Sequence, residues 1–150
     1  MMEKRTDAIY PGTLPCACAN LRRAARAVTH LYDQELRPTG LEPTQFTLLM
    51  TLNATGEVTQ GKLGQRLILD STTLTRSLAP LRARGWISSR RGQDRRERLW
   101  KLTTAGRRVL ERAQPYWEQA QRRLRKALGQ DEWSSLQEVL VRVTRATDRA

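Results

Sequence analysis

The stretch from Gly85 to Gly106, GWISSRRGQDRRERLWKLTTAG, constrains the fold of this chain more than any other. Two β-capable runs, Trp86–Arg90 and Arg98–Leu102, flank a turn that carries Gly92, Gln93 and Asp94, and a helix start follows at Thr103. Glycine and aspartate favour a tight reversal, so the segment predicts a β-hairpin. Arg90, Arg91, Arg95, Arg96 and Arg98 make that hairpin basic, which suits contact with a polyanion.

An amphipathic segment, Asp70–Arg84, runs directly into the hairpin. Leu74, Leu78 and Leu81 fall on one helical face, and Thr72, Thr73 and Arg76 fall on the other. Upstream, Pro38, Thr39 and Gly40 break the chain, and Pro43 opens a helix over Thr44–Asn53 with Phe46, Leu49, Met50 and Leu52 apolar. After Thr55-Gly56, the run Val58-Thr59-Gln60 leads into a short helix holding Leu63, Leu67 and Ile68, with Thr59 as its N-cap and Asp70 or Ser71 capping the next. The order helix, helix, helix, strand, turn, strand predicts a winged helix-turn-helix lobe over residues 41–103.

Outside that lobe the pattern is helical. Residues 1–13 are polar and predict a flexible arm. Pro15 suits the first turn of a helix reaching about Arg37, on which Cys18, Leu21, Ala25, Val28 and Tyr32 share a seam. Beyond Thr103, Leu110, Ala113, Trp117, Ala120, Leu124 and Leu128 mark a long helix that Pro115 would kink. Gly129-Gln130-Asp131 supplies a stop and a cap, and Trp133, Leu136, Leu140, Val143 and Thr147 mark a last helix. The seams over 14–38 and 104–150 have little of their own chain to cover, so they predict dimerisation helices and a symmetric homodimer. The expected fold is mainly α with a small β-hairpin wing, in one structural domain.

Charge and composition narrow the partners. Arginine supplies 23 of the 27 basic residues, the net charge is +12 and the pI is near 11.1. A planar guanidinium matches phosphates and base edges, though the charge alone fits a solvated surface equally well; the helix followed by a basic wing makes double-stranded DNA the expected partner. No apolar run spans a membrane and no apolar signal core interrupts the charged start, which predicts a cytoplasmic protein. Cys16 and Cys18 then stay as thiols. No zinc-type ligand set, phosphate-cradling loop or Ser-His-Asp arrangement can be assembled, so the chain is not expected to be an enzyme or to require a cofactor. A nonspecific architectural DNA binder is the alternative, and it would hold any duplex about equally. A cysteine-based redox enzyme is less consistent, because Cys-x-Cys here lacks a strand-helix redox context and a placed base.

The chain resembles the MarR family of transcriptional regulators over nearly its whole length. The resemblance is carried by Leu41-Glu42-Pro43-Thr44-Gln45-Phe46, by Thr59–Leu67, by Thr72–Leu81, by Gly85-Trp86-Ile87, and by Asp94-Arg95-Arg96 followed by Leu102-Thr103 and Gly106. It implies intertwined terminal helices, wings along the minor groove and a pseudo-palindromic operator. It also implies a repressor released by a ligand or by cysteine chemistry. Two departures stand out: Glu42 is a poor N-cap, leaving that helix start to Pro43 and the dipole, and Pro80 interrupts the recognition-like helix by removing the N–H that would reach Arg76.

Individual roles follow from chemistry. Arg76 is the base-edge reader, with Thr72 and Thr73 beside it, while Ser71 and Thr75 on the flank hold phosphates. Arg95 or Arg96 is the minor-groove probe, and Arg90, Arg91 and Arg98 meet the backbone. Asp94 either orients a neighbouring arginine or serves the turn. Trp100 belongs to the core. Cys16 and Cys18, at a helix start, either collect a thiophilic metal or metalloid, or react with an oxidant, or else Cys18 is a small seam residue and Cys16 is incidental. His30 either lines an effector pocket or lies on the surface. The effector is an unidentified small molecule or a thiol-reactive species.

Overall fold

A computed structural model describes Gly12 and residues 14–147. The arm expected over residues 1–13 lies outside the described residues, Gly12 apart. Helix α1 spans Ala17–Leu36 and ends in a 3-10 turn, Arg37–Thr39, that Gly40 terminates at φ 74°. It begins two residues after Pro15, which therefore precedes the N-cap, Cys16, instead of occupying the first turn. Cys16 offers no side-chain cap; Asn20 reaches back, accepting from the Leu14 N–H at 3.0 Å and donating to the carbonyls of Leu14 and Cys16.

Helix α2, Pro43–Thr55, starts at Glu42, where Gln45 Oε1 accepts the Glu42 N–H at 3.1 Å. This back-bond supplies support that the expectation from Pro43 and the dipole omitted. Strand β1, Val58–Thr59, leads into α3, Gln60–Leu67, and then α4, Ser71–Ala83. Thr59 caps α3 through the Lys62 N–H, and Asp70 rather than Ser71 caps α4 through the Thr73 N–H. Strands β2, Ile87–Arg91, and β3, Arg98–Leu102, form the hairpin, and α5, Thr104–Leu128, and α6, Gln130–Thr147, complete the chain. Both Pro80 and Pro115 are carried inside continuous helices. Gly129 at φ 86° divides α5 from α6, so Asp131 sits in the first turn of α6 and not at its cap.

The sheet has three strands, ordered β1-β3-β2, where two were expected. Val58 pairs with Trp100 and Thr59 with Leu99, tying the entrance of α3 to the hairpin. The core gathers Leu36, Leu41, Phe46, Leu49, Leu52, Leu63, Leu74, Leu78, Leu81, Ile87 and Trp100 against Val109, Leu110 and Ala113 of α5. Helix α2 is enclosed on several sides: Leu48 is buried while Met50 is exposed. Phe46 stacks on Trp117 with ring centroids 5.8 Å apart. Along α1 only Leu36 is buried and along α6 no described residue is, which leaves Leu21, Val139, Leu140 and Val141 about two-fifths or more exposed.

Candidate nucleic-acid interface

Helix α4 presents the expected two faces. Leu74, Leu78 and Leu81 are at most 1% exposed, and Ser71, Thr72, Thr73, Thr75 and Arg76 lie in solvent. The hydroxyls differ in what they have left to offer. Thr73 donates its proton to Asp70 Oδ2 at 2.6 Å, and Thr75 donates to the Ser71 carbonyl at 2.8 Å while accepting from Gln60. The Thr73 hydroxyl, with the N–H groups of the cap, holds the Asp70 carboxyl below the usual carboxylate range. Among the described residues, the side chains of Thr72 and Arg76 make no hydrogen bond or ion pair, so their polar atoms are open to an incoming base edge.

The turn of the hairpin closes through Gly92 N–H to the Glu97 carbonyl and Glu97 N–H to the Asp94 carbonyl, both 2.9 Å. Asp94 Oδ1 accepts the Arg96 N–H at 2.9 Å, so of the two roles left open for this carboxylate the turn is the one observed. The arginines divide. Arg90 is committed to Glu57 across the α2–β1 connection, with Nε to Oε2 at 2.9 Å and a second contact from Nη2 to Oε1. That guanidinium pulls the Glu57 carboxyl below its usual range. Arg98 lies over the Trp100 ring, 6.0 Å from its centroid. Arg91 stands directly opposite Arg98 across the β2–β3 ladder, a like-charge pairing that costs free energy on its own.

Wing and helix share one side of the lobe. Asp70, Ser71 and Leu74 of the α4 start, Gln60, Gly64 and Ile68, and Arg96, Glu97 and Arg98 of the wing line an open cleft of about 1040 Å³. Ile68, at the turn between α3 and α4, is 58% exposed and holds φ at 52°, a left-handed conformation in a β-branched residue. Two residues of this region escaped the sequence reading: Glu57, which braces Arg90 from 33 positions away, and Gln60, which bonds both Thr75 and Trp100. Glu57 belongs to no motif, and Gln60 falls within the Thr59–Leu67 run without anything in the sequence that assigns it a role.

Cys16 and Cys18 are exposed, and both are free thiols. They occupy the N-cap and second position of α1, so the pair is at the helix start but not on one face of a regular turn. His30 is exposed and lies 3.0 Å from Gln34 Nε2. None of the three lines the wing cleft. No group of three or more His, Cys, Asp or Glu side chains able to hold a metal occurs among the described residues.

Residues 41–97, which run from the approach to α2 through the wing tip, match the family model described as the MarR family. The transcriptional regulator MosR of M. tuberculosis, solved in complex with DNA, is 34% identical and superposes with a TM-score of 0.81, covering 89% of this chain and 97% of that one. The chain belongs to the MarR family. A variant of E. coli MarR solved with operator DNA is 26% identical, with a TM-score of 0.77 over 91% of this chain and 96% of that one. An uncharacterized HTH-type transcriptional regulator of Bacillus subtilis (strain 168), YwoH, is 32% identical over 83 residues, or 55% of this chain, and the match spans 61% of that relative's length. The winged helix-turn-helix with its long flanking helices is thus the MarR-family fold. No described helix is long and apolar enough to cross a membrane.

Proposed function

We propose that this protein is a sequence-specific, DNA-binding transcriptional regulator that acts as a homodimer, and that it represses until an effector releases it. The observation that carries this reading is the placement of charge. Arg91 and Arg98 oppose each other in the wing, and Arg95 and Arg96 sit beside them at the tip. This end of the wing faces the start of α4, whose exposed face carries Arg76. A wing that sets two guanidiniums against each other gains when a polyanion enters, because phosphates relieve the repulsion and release counterions. In this reading Arg76 reads a base edge with Thr72 and Thr73 next to it. Ser71, Arg91 and Arg98 hold phosphates, and Arg95 or Arg96 enters the minor groove; Thr75, whose hydroxyl proton goes to the Ser71 carbonyl, is left out of the phosphate contacts. Asp94 shapes the turn and Arg90 supports the wing through Glu57.

The dimer rests on the uncovered apolar side chains of α1 and α6, Leu21, Val139, Leu140 and Val141 among them. A two-fold axis would set half-sites about one helical turn apart, on one face of a pseudo-palindromic operator. Release is assigned to a small molecule or to a thiol-reactive metal, metalloid or oxidant at Cys16 and Cys18, with His30 as a further effector contact. The exposure of both thiols supports access.

Fluorescence anisotropy tests the reading. The reduced full-length protein is titrated on a duplex it has selected from a randomised pool and on a scrambled duplex, with and without arsenite or a mild oxidant. Preference of roughly 10³ or more for the selected duplex is expected. Equal affinity for both would replace the regulator with an architectural binder, and release that persists in the Cys16→Ser, Cys18→Ser double variant would remove the thiols from the mechanism.

A further inference from the structure

Between α4 and strand β3 the lobe is not packed. Gln60, Thr75, Ala79, Arg82, Ala83, Arg98 and Trp100 enclose a cleft of about 550 Å³ there. One side chain crosses the gap. Gln60, the first residue of α3, accepts the indole N–H of Trp100 on Oε1 at 3.0 Å and donates from Nε2 to Thr75 Oγ1 at 2.9 Å. Thr75 passes the chain on by donating to the Ser71 carbonyl at 2.8 Å in the first turn of α4.

Chemistry fixes the direction of this relay. An indole nitrogen only donates, so the amide oxygen must face Trp100 and the amide nitrogen must face Thr75. Thr75 Oγ1 then accepts, and its own proton is left for Ser71. The Trp100 ring is 4% exposed and is locked in the core, so its N–H is a fixed reference point. Thr59 caps α3 immediately before Gln60 and pairs with Leu99 of β3, which fixes the origin of the Gln60 side chain as well. Both ends of the amide are therefore anchored, one on the wing strand and one on the helix that carries Arg76.

We propose that Gln60 is a positioning residue that holds the wing at a set spacing from the recognition helix, and that this spacing governs discrimination between DNA sequences. The inference rests on the DNA-binding reading above. Gln60 need not touch DNA for this role. Without the link, Arg76 and the wing arginines can each still meet phosphates, but they no longer meet groove and backbone in one register. Sequence preference falls while the charge-driven part of binding stays.

The test compares the wild-type protein with Gln60→Leu, Thr75→Val, Trp100→Phe and the Gln60→Leu, Trp100→Phe double variant on the selected and scrambled duplexes over a range of salt. The indole N–H resonance of Trp100 is followed by NMR and identified by its loss in Trp100→Phe. Gln60→Leu is expected to lower the ratio of selected to scrambled affinity by about tenfold, the scale of one or two lost hydrogen bonds. Scrambled-duplex affinity and the salt slope should stay as in wild type, the indole resonance should move upfield, and Trp100→Phe placed on top of Gln60→Leu should add little to the loss. Thr75→Val removes the helix end of the bridge and leaves the Gln60–Trp100 bond, so it should lose discrimination while the indole resonance keeps its place. That variant decides the matter if Gln60→Leu does not fold. Unchanged discrimination in the folded Gln60→Leu and Thr75→Val variants, or an equal fall on both duplexes, overturns the inference with the regulator reading intact. A wild-type protein that selects no duplex overturns both.

Discussion

Gly106 lies in the first turn of α5, and the methyl group of an alanine there would fall 2.0 Å from the Trp86 carbonyl oxygen and 2.8 Å from Leu102 Cδ1. A carbon and a carbonyl oxygen rest at about 3.3 Å or more, so helix and hairpin must part by more than about 1 Å. The displaced contact is a hub. The same Trp86 oxygen accepts the Thr103 N–H at 3.0 Å, while the Thr103 hydroxyl reaches the Gly85 carbonyl at 2.7 Å and the Trp86 oxygen at 3.0 Å, and Thr103 Oγ1 in turn caps α5 through the Gly106 N–H. Overpacking of this kind costs roughly 1–3 kcal/mol and a weakened cap about 1 kcal/mol, against a helix-propensity gain of about 1 kcal/mol for Gly→Ala. Gly106→Ala is therefore expected to destabilise by about 2 kcal/mol, opposite in sign to propensity. Gly61→Ala in α3, where nothing lies within 4 Å of the added carbon, is the control and should be neutral or stabilising. Urea unfolding followed by circular dichroism, at one protein concentration, measures both. A Gly106→Ala protein as stable as wild type would refute the argument that this close approach fixes the wing to α5.

Further outcomes follow from the site. Arg76→Ala should relax preference at one operator position by roughly 1–3 kcal/mol, whereas Arg91→Ala, which removes a phosphate contact, should weaken binding to all sequences; parallel losses for both variants across a panel of duplexes would contradict the assignment. Glu57 and Asp70 titrate below their usual range in the folded protein, held there by Arg90 and by Thr73 respectively. Their contribution is present above the unfolded carboxylate pKa values and is lost as pH falls through the lower folded ones, so Glu57→Gln should flatten the acid limb of a stability–pH curve. Leu140→Glu should turn a dimer into monomers in sedimentation velocity and abolish tight operator binding, since Leu140 is 40% exposed on a helix that buries none of its described residues.

Much of the architecture is legible in the residue pattern because it repeats. Leucines at 74, 78 and 81 mark a buried stripe whatever lies on the other side, and the apolar run Leu99, Trp100 and Leu102 between the turn and the Thr103 helix start marks β3. Strand β1 is two residues long and exists only because Val58 and Thr59 pair with Trp100 and Leu99, so no local alternation announces it. The same holds for the site. Exposed Arg76 follows from helical geometry, but the commitment of Arg90 to Glu57 and the bridge from Gln60 to Trp100 join residues 33 and 40 positions apart. Ile68 in a left-handed turn is a choice of tertiary structure against local preference.

The sheet order β1-β3-β2 leaves the outer side of β2 without a neighbouring strand, and β1 covers only the Leu99 and Trp100 positions of β3. Such open rims recruit strands from other molecules and seed precipitation. Here the rim carries Arg90 and Arg91, with Arg98 at the uncovered end of β3. The charges that would draw in a nucleic acid therefore also keep copies of the protein from adding strand to strand. Stripping the wing of arginines to obtain an inactive control would yield a stickier molecule, and exchanging them for lysine or glutamate would keep that protection.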